Sequence, residues 1–362
     1  MRTATTTARR TLRVFTATCR APVSSSFPSS QPRRPLSKAQ PLPRTIPSQF
    51  RTMSSSTPAG TTPGTTLLKQ KVKLACIQLS STPDKSHNLS HAADKVREAV
   101  QTTGAKIVVL PECFNSPYGC DFFPSYAETL SPASSSSSYA ALSEIARSNQ
   151  IYLIGGSIPE LVTDSSTGEK TYYNTSLVFS PTGELLASHR KVHLFDIDIP
   201  GGITFKESDV LSPGNKITIV DLPEYGKIAV AICYDIRFPE LAMIAARQGC
   251  FALVYPGAFN MTTGPLHWEL LARARAVDNQ VYVALCSPAR DLQASYHAWG
   301  QSLIVDPMAR VLAEAKEKEE IVSAELDGKV IEDTRKGIPL RDQRRFDVYP
   351  DVSEGKVNFD KP

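Results

Sequence analysis

Lys227-Ile-Ala-Val-Ala-Ile-Cys-Tyr-Asp-Ile-Arg-Phe-Pro-Glu240 changes character half-way along. Ile228 to Ile232 is a continuous apolar run after Gly226, the pattern of a strand buried on both faces. Pro239 stands where a helix starts, and Glu240 to Gly249 has helical composition with a glycine stop. Cys233 falls between them, at the carboxyl end of the predicted strand, where open α/β sheets place their ligands. A nucleophile on a sharp strand-to-helix turn is rigid on one side and exposed on the other. Cysteine is also among the most buried residue types, so plain core packing is the competing reading. The polar cluster Tyr234, Asp235 and Arg237 directly after Cys233 favours chemistry, because a plain core strand does not need it.

The 362 residues are of two materials. Ten Arg or Lys occur up to Arg51, while the first acidic residue of the chain is Asp84. Ser, Thr and Pro fill the gaps. Such an Arg-rich, Ser-rich, acid-free composition predicts a disordered leader over 1–66, of the mitochondrial transit-peptide kind. Arg9-Arg-Thr-Leu-Arg13-Val-Phe15 suits a short basic amphipathic helix, and a disordered tail with no address is the alternative. Met53 offers a second start, implying a leaderless cytosolic form. Removing the ten leader cations from the 40 basic residues leaves 30 against 36 acidic, so the body is near −6 although the whole chain is +4. The basic balance therefore says nothing about nucleic acid. No stretch approaches the apolar length of a membrane span. Seven scattered cysteines (19, 76, 113, 120, 233, 250 and 286), with no C-x-x-C pair, argue for a reducing compartment and against a disulfide scaffold or structural zinc.

Residues 67–362 then suit one α/β domain with a C-terminal tail. Predicted strands are Val72–Leu79, Lys106–Leu110, Ile151–Gly155, Tyr172–Phe179, Leu185–His189, Ile217–Val220, Ile228–Ile232, Phe251–Tyr255, Val281–Cys286, Gln301–Val305, Arg310–Glu314 and Ile321–Leu326. Helices are expected around Leu89–Val100, Tyr139–Asn149, Glu240–Gly249 and His267–Asn279, with a last one ending near Lys336. Residues 114 to 134 read as a loop of lid type, 194–215 as aperiodic, and 338–362 as irregular tail reaching towards another subunit. Pro181-Thr-Gly-Glu184 joins two strands as a hairpin, so the sheets are mixed. Two stacked sheets covered by helices fit this strand count better than one doubly wound sheet.

Glu112 and Lys191 also sit at predicted strand ends, and with Cys233 they are expected to converge on the rim of one sheet. Singly, each is a solvated strand end. Together they suit nucleophilic catalysis. An ammonium favours the thiolate, a carboxylate takes its proton, and a Lys plus a backbone N–H stabilise the oxyanion formed at an amide carbon.

These segments resemble the Glu-Lys-Cys triad of the nitrilase superfamily, the carbon-nitrogen hydrolases, over about 71 to 350. The resemblance is to the omega-amidase branch, through Lys191-Val-His-Leu-Phe-Asp-Ile-Asp-Ile-Pro200, Phe205-Lys-Glu-Ser-Asp209, Leu211-Ser-Pro-Gly214, Cys233-Tyr-Asp-Ile-Arg-Phe238, Tyr255-Pro-Gly-Ala-Phe-Asn260, Thr263-Gly-Pro-Leu-His-Trp-Glu-Leu270, Arg275-Ala-Val-Asp-Asn-Gln280 and Ser287-Pro-Ala-Arg-Asp291. It implies an α-β-β-α sandwich, usually paired into homodimers, and a reaction needing neither metal nor organic cofactor. It also implies that Cys233 is the nucleophile, Glu112 the general base, and Lys191 the oxyanion partner with the backbone N–H of Tyr234. Glu207 matches a second glutamate that positions water or Lys191; a structural carboxylate is the alternative. Arg237 and Thr263 match positions holding the distal carboxylate of a short oxo-dicarboxylic acid monoamide. An ion pair of Arg237 with Asp235 or Glu240 is the alternative. His267 and Trp268 are expected to pack the helix. Rival readings are the sister amidase of deaminated glutathione, disfavoured by Pro256–Asn260 and Ser287–Asp291, and an inactive binding module on the same fold.

Overall fold

The computed structural model of the protein describes residues 66–349, save 132–134 and 202–203. The leader over 1–66, the start at Met53 and the end of the C-terminal tail lie outside the described residues, but for Thr66. In chain order the strands are β1 (Val72–Gln78), β2 (Ile107–Val109), β3 (Tyr152–Ile154), β4 (Ile158–Thr163), β5 (Lys170–Phe179), β6 (Leu185–Arg190), β7 (Asp196–Asp198), β8 (Thr204–Lys206), β9 (Thr218–Leu222), β10 (Gly226–Val230), β11 (Cys250–Pro256), β12 (Tyr282–Cys286), β13 (Leu303–Val305), β14 (Val311–Glu314) and β15 (Glu320–Leu326). The helices are α1 (Lys85–Thr103), α2 (Phe123–Tyr126), α3 (Ser137–Asn149), α4 (Pro239–Arg247), α5 (Gly264–Asn279), α6 (Gly328–Gly337) and α7 (Leu340–Gln343).

Two mixed sheets form the middle layers. The first runs β15-β1-β2-β3-β5-β4 with β6 on β5, and the second runs β14-β13-β12-β11-β10-β9. Their inner faces share one apolar core, in which Leu74, Val109 and Ile154 of the first sheet meet Ile228, Val254 and Ala284 of the second. The outer face of the first sheet packs on α1 and α3 through Val96, Ala99, Leu142 and Ile145. The outer face of the second packs on α4 and α5 through Leu241, Ala245, Trp268 and Ala272. This is the expected α-β-β-α sandwich. The parallel pairs β1–β2, β2–β3, β10–β11 and β11–β12 are the ones bridged by those four helices.

The deciding stretch folds as its composition requires, with one refinement. After β10, Ile232 stays extended and a 3₁₀ turn over Cys233–Arg237 intervenes before α4, which opens on Pro239. Cys233 itself has φ +47°, a left-handed conformation unusual for a residue with a side chain. Five elements escaped the sequence reading, among them α7, a single helical turn inside the tail expected to be irregular over 338–362. Strand β4 contains Pro159 and Glu160, which disguise it; it is tolerated because it is the end strand of its sheet, paired antiparallel with β5. The β7–β8 pair is too short to show a period. Helix α2 is a single turn inside the loop expected over 114–134.

Gly156 fixes how β2 leaves the sheet. Its φ is +59°, and a Cβ there would lie 2.1 Å from the Pro111 carbonyl oxygen, one residue before Glu112. Gly156→Ala is expected to lower unfolding free energy by at least about 2 kcal/mol, measured by urea titration, since a left-handed alanine alone costs about 1–2. An unchanged midpoint would refute this close approach.

Candidate active site

Each polar group is delivered by a strand end. Glu112 follows β2 and is 1 % exposed. Its Oε1 accepts from Asn174 Nδ2 at 2.9 Å and from Lys191 Nζ at 3.0 Å, and its Oε2 accepts from the Ala258 backbone N–H at 2.8 Å. Lys191 follows β6. Its backbone N–H donates to Asn174 and its carbonyl accepts from Gly214, both at 2.8 Å. Its ammonium reaches Glu207 Oε1 at 2.9 Å as well as Glu112, and the side chains of all three residues are wholly buried. Glu207 lies in the 3₁₀ turn Glu207–Asp209, where Oε1 also accepts from the Tyr118 hydroxyl at 3.1 Å and Oε2 from the Phe195 N–H at 2.8 Å. Cys233 follows β10 and is buried where the 3₁₀ turn Cys233–Arg237 begins. Gly257, just after β11, presses on it: a Cβ there would stand 3.1 Å from the Cys233 Cα.

The four groups converge as expected, but not on one sheet. Strands β2 and β6 belong to the first sheet and β10 to the second, so the cluster bridges the two. Reading strand ends from sequence does not reveal sheet membership, because a strand's partners lie far along the chain.

The distal side is also organised. The Arg237 guanidinium lies 4.7 Å from the Phe259 ring centre and 5.4 Å from that of Tyr234, and its Nη1 donates to His267 Nδ1 at 3.1 Å. Its Nε is buried without a partner, and among the described residues it meets no carboxylate. The ion pair with Asp235 or Glu240 is therefore absent. His267 is not mere helix packing but a partner of Arg237, whereas Trp268 does pack, edge-on to Phe259 with its Nε1 on the Gln301 carbonyl. Thr263 precedes α5, and its hydroxyl donates to Asn260 Oδ1 at 3.1 Å. The Tyr234 ring packs on Phe195 and Phe238.

The family model for carbon-nitrogen hydrolases matches residues 73–336. The chain belongs to this family. It is 57 % identical to the omega-amidase NIT3 of Saccharomyces cerevisiae over 289 residues, 79 % of this chain and 98 % of that one. Identity to the mouse omega-amidase NIT2 is 56 %, over 76 % of this chain and 96 % of the relative. A chloroplastic omega-amidase of Arabidopsis thaliana is 49 % identical over 90 % of this chain and 89 % of its own. The crystal structure of yeast Nit3, a member of branch 10 of the nitrilase superfamily, superposes with a TM-score of 0.71 at 53 % identity, covering 78 % of this chain and all of that one.

Electrostatics in this hydrolase follow from burial. Burial raises the Glu112 pKa, and Glu207 adds to the rise, against the pull of Lys191. Burial would lower Lys191, but Glu112 and Glu207 outweigh it and hold the ammonium well above its usual range. Burial pushes the Cys233 thiol well up, and Glu112 pushes it further than Lys191 pulls it back. The expected thiolate-favouring ammonium is thus committed to two carboxylates, and the resting thiol keeps its proton. Cys113 is raised well above the thiol range, mainly by burial, and Cys120 is pushed up to about 11, so neither carries an activated thiolate.

Sequence reading missed the supports of the cluster: Asn174, Tyr118 and the Ala258 N–H. Their contacts to Glu112 and Glu207 span 62, 89 and 146 residues, and no local pattern announces them. Tyr118 meets Tyr296 at 4.4 Å between ring centres, and both border a cavity of about 380 Å³ that reaches Glu112.

Taking a thiol proton requires Glu112 as carboxylate. Its pKa is raised, so activity is lost as pH falls through that raised value. The acid limb of kcat/KM is expected above the ordinary carboxylate range, measured by initial rates against pH. A limb at the value of a free glutamate would contradict this balance.

Proposed function

We propose that this carbon-nitrogen hydrolase is an omega-amidase, converting 2-oxoglutaramate and 2-oxosuccinamate to 2-oxoglutarate and oxaloacetate with release of ammonia. The observation that carries the reading is the pairing of a buried Glu112–Lys191–Glu207–Cys233 cluster with an arginine that lacks a carboxylate partner. The omega-amidase relatives agree with it in substrate class.

The chemistry follows from the contacts. The Cys233 sulfur attacks the amide carbon as its proton passes to Glu112. Charge then develops on the carbonyl oxygen, and Lys191 with the Tyr234 N–H is the pair assigned to stabilise it. Glu112 returns the proton to nitrogen, the C–N bond breaks and ammonia leaves a thioester. Glu112 next takes a proton from water, the hydroxide adds to the thioester carbon, and the C–S bond breaks with reprotonation of sulfur. Glu207 holds the ammonium beside Glu112, so Lys191 stays charged throughout. Arg237 supplies a bidentate cation for the distal carboxylate, its Nε already dry and unpartnered. Thr263 supports that end through Asn260. The homodimer reading is supported by α5, where Leu266, Leu270 and Val277 lie on one face at 64 %, 61 % and 41 % exposure.

Turnover of 2-oxoglutaramate, measured by ammonia release beside deaminated glutathione and a simple nitrile, should be selective and abolished by Cys233→Ala. Arg237→Gln should raise KM about 10- to 100-fold, the worth of a charge-assisted contact. A preference for deaminated glutathione, or no turnover at all, defeats the reading. Sedimentation should give a dimer that Leu270→Glu weakens; a monomeric wild type would remove the α5 interface.

A further inference from the structure

Hydrogen-bonded ladders hold strands of one sheet in register, but none joins β6 to β10, because they lie in different sheets. Something else must set where Lys191 stands relative to Cys233. Lys191 is flanked two residues before by His189 and two residues after by His193. Both reach the same carboxylate. His189 Nε2 lies 3.2 Å from Asp235 Oδ2, and His193 Nδ1 lies 2.8 Å from Asp235 Oδ1. The His193 backbone N–H also donates to Oδ1, at 2.9 Å. On the other side, the Ile232 N–H, one residue before the nucleophile, donates to Oδ2 at 2.9 Å. Two flanking contacts extend the seam: His189 Nδ1 meets Thr218 Oγ1 of β9 at 2.9 Å, and the His193 ring stacks on Phe238 at 3.6 Å and 8°.

Asp235 is fully buried. A buried carboxylate is costly unless its lone pairs are satisfied. Burial pushes this carboxyl up, but the histidines and the backbone donor outweigh it and hold it well below the usual carboxylate range. It touches neither Glu112 nor Glu207 and has no place in the proton transfers, so its investment goes into the two loops.

We propose that Asp235 is a positioning residue, clamping the loop of Lys191 to the turn of Cys233 and so fixing the ammonium relative to the attacked carbon. This rests on the amidase reading. A carboxylate does it because it accepts four hydrogen bonds at once from two chain segments. An asparagine of the same shape turns one acceptor into a donor facing N–H groups. Misplacement of a reacting group by about 1 Å costs on the order of 100-fold in rate.

The test is Asp235→Asn in the whole chain, with rates expressed per intact site. Intact sites are counted as the folded fraction of each variant, read by near-ultraviolet circular dichroism and urea titration. Wild-type turnover of 2-oxoglutaramate is the control. If the wild type is inactive, the amidase reading fails rather than this one. The expected result is a fall in per-site kcat of about 100-fold, with KM changed less than about threefold. A per-site kcat within threefold of wild type, with only a smaller folded fraction, would reduce Asp235 to a folding residue and overturn the proposal. Should Asp235→Asn not fold, His193 decides. His193→Asn keeps a side-chain donor for Oδ1 and is expected to retain kcat within about fivefold, while His193→Leu is expected to lose at least tenfold. Equal rates for the pair would overturn the proposal.

Discussion

One ammonium, Lys191, lies fully buried between two carboxylates. A charge so placed is strongly disfavoured unless its donors are met, and removing either carboxylate leaves the other groups uncompensated. The surrounding structure answers to that requirement. Asn174 and the Ala258 N–H complete Glu112, while Tyr118 and the Phe195 N–H complete Glu207. Loops following β2, β6, β8 and β11 are therefore tied to one another through the charges they enclose. Screening by salt or water is weak at such depth, and the cluster behaves as one electrostatic object.

The cluster needs two sheets. A single sheet offers strand ends in one row, whereas the sandwich brings a rim of each sheet together, so that Glu112 and Lys191 face Cys233 across the seam. Backbone strain marks both sides of it. Cys233 has φ +47° and Cys113, next to Glu112, has φ +52°. Such conformations persist only where surrounding contacts over-determine them. Around Cys233 they do: the Asp235 carboxylate binds the Ile232 N–H, Gly257 presses on the Cα, and Pro239 starts the helix that closes the turn.

Much of this was legible in the chain. Apolar runs such as Ile228–Ile232 and Phe251–Tyr255 announce buried strands because both faces are covered, and Pro239 marks the start of the helix between them. Glu112, Lys191 and Cys233 stand out because a charged or reactive group at a strand end interrupts an apolar pattern. What stayed hidden has no local period or depends on distant partners. Strand β4 carries a proline as its second residue, and β7 and β8 are three residues each. Asn174 looks like any polar residue in a strand until Glu112, 62 positions away, is beside it.

By itself the sequence determined the order of the long strands and helices, the layered class, and three candidate reactive groups, since periodicity and residue chemistry are local properties. Only the tertiary structure decided that the groups straddle two sheets, that Lys191 is shared between Glu112 and Glu207, that the Cys233 thiol rests protonated, and that Arg237 meets His267 rather than a carboxylate. Those outcomes depend on burial and on distances between residues remote in the chain. Burial sets the energy of every charge here, and it exists only once the two sheets have closed.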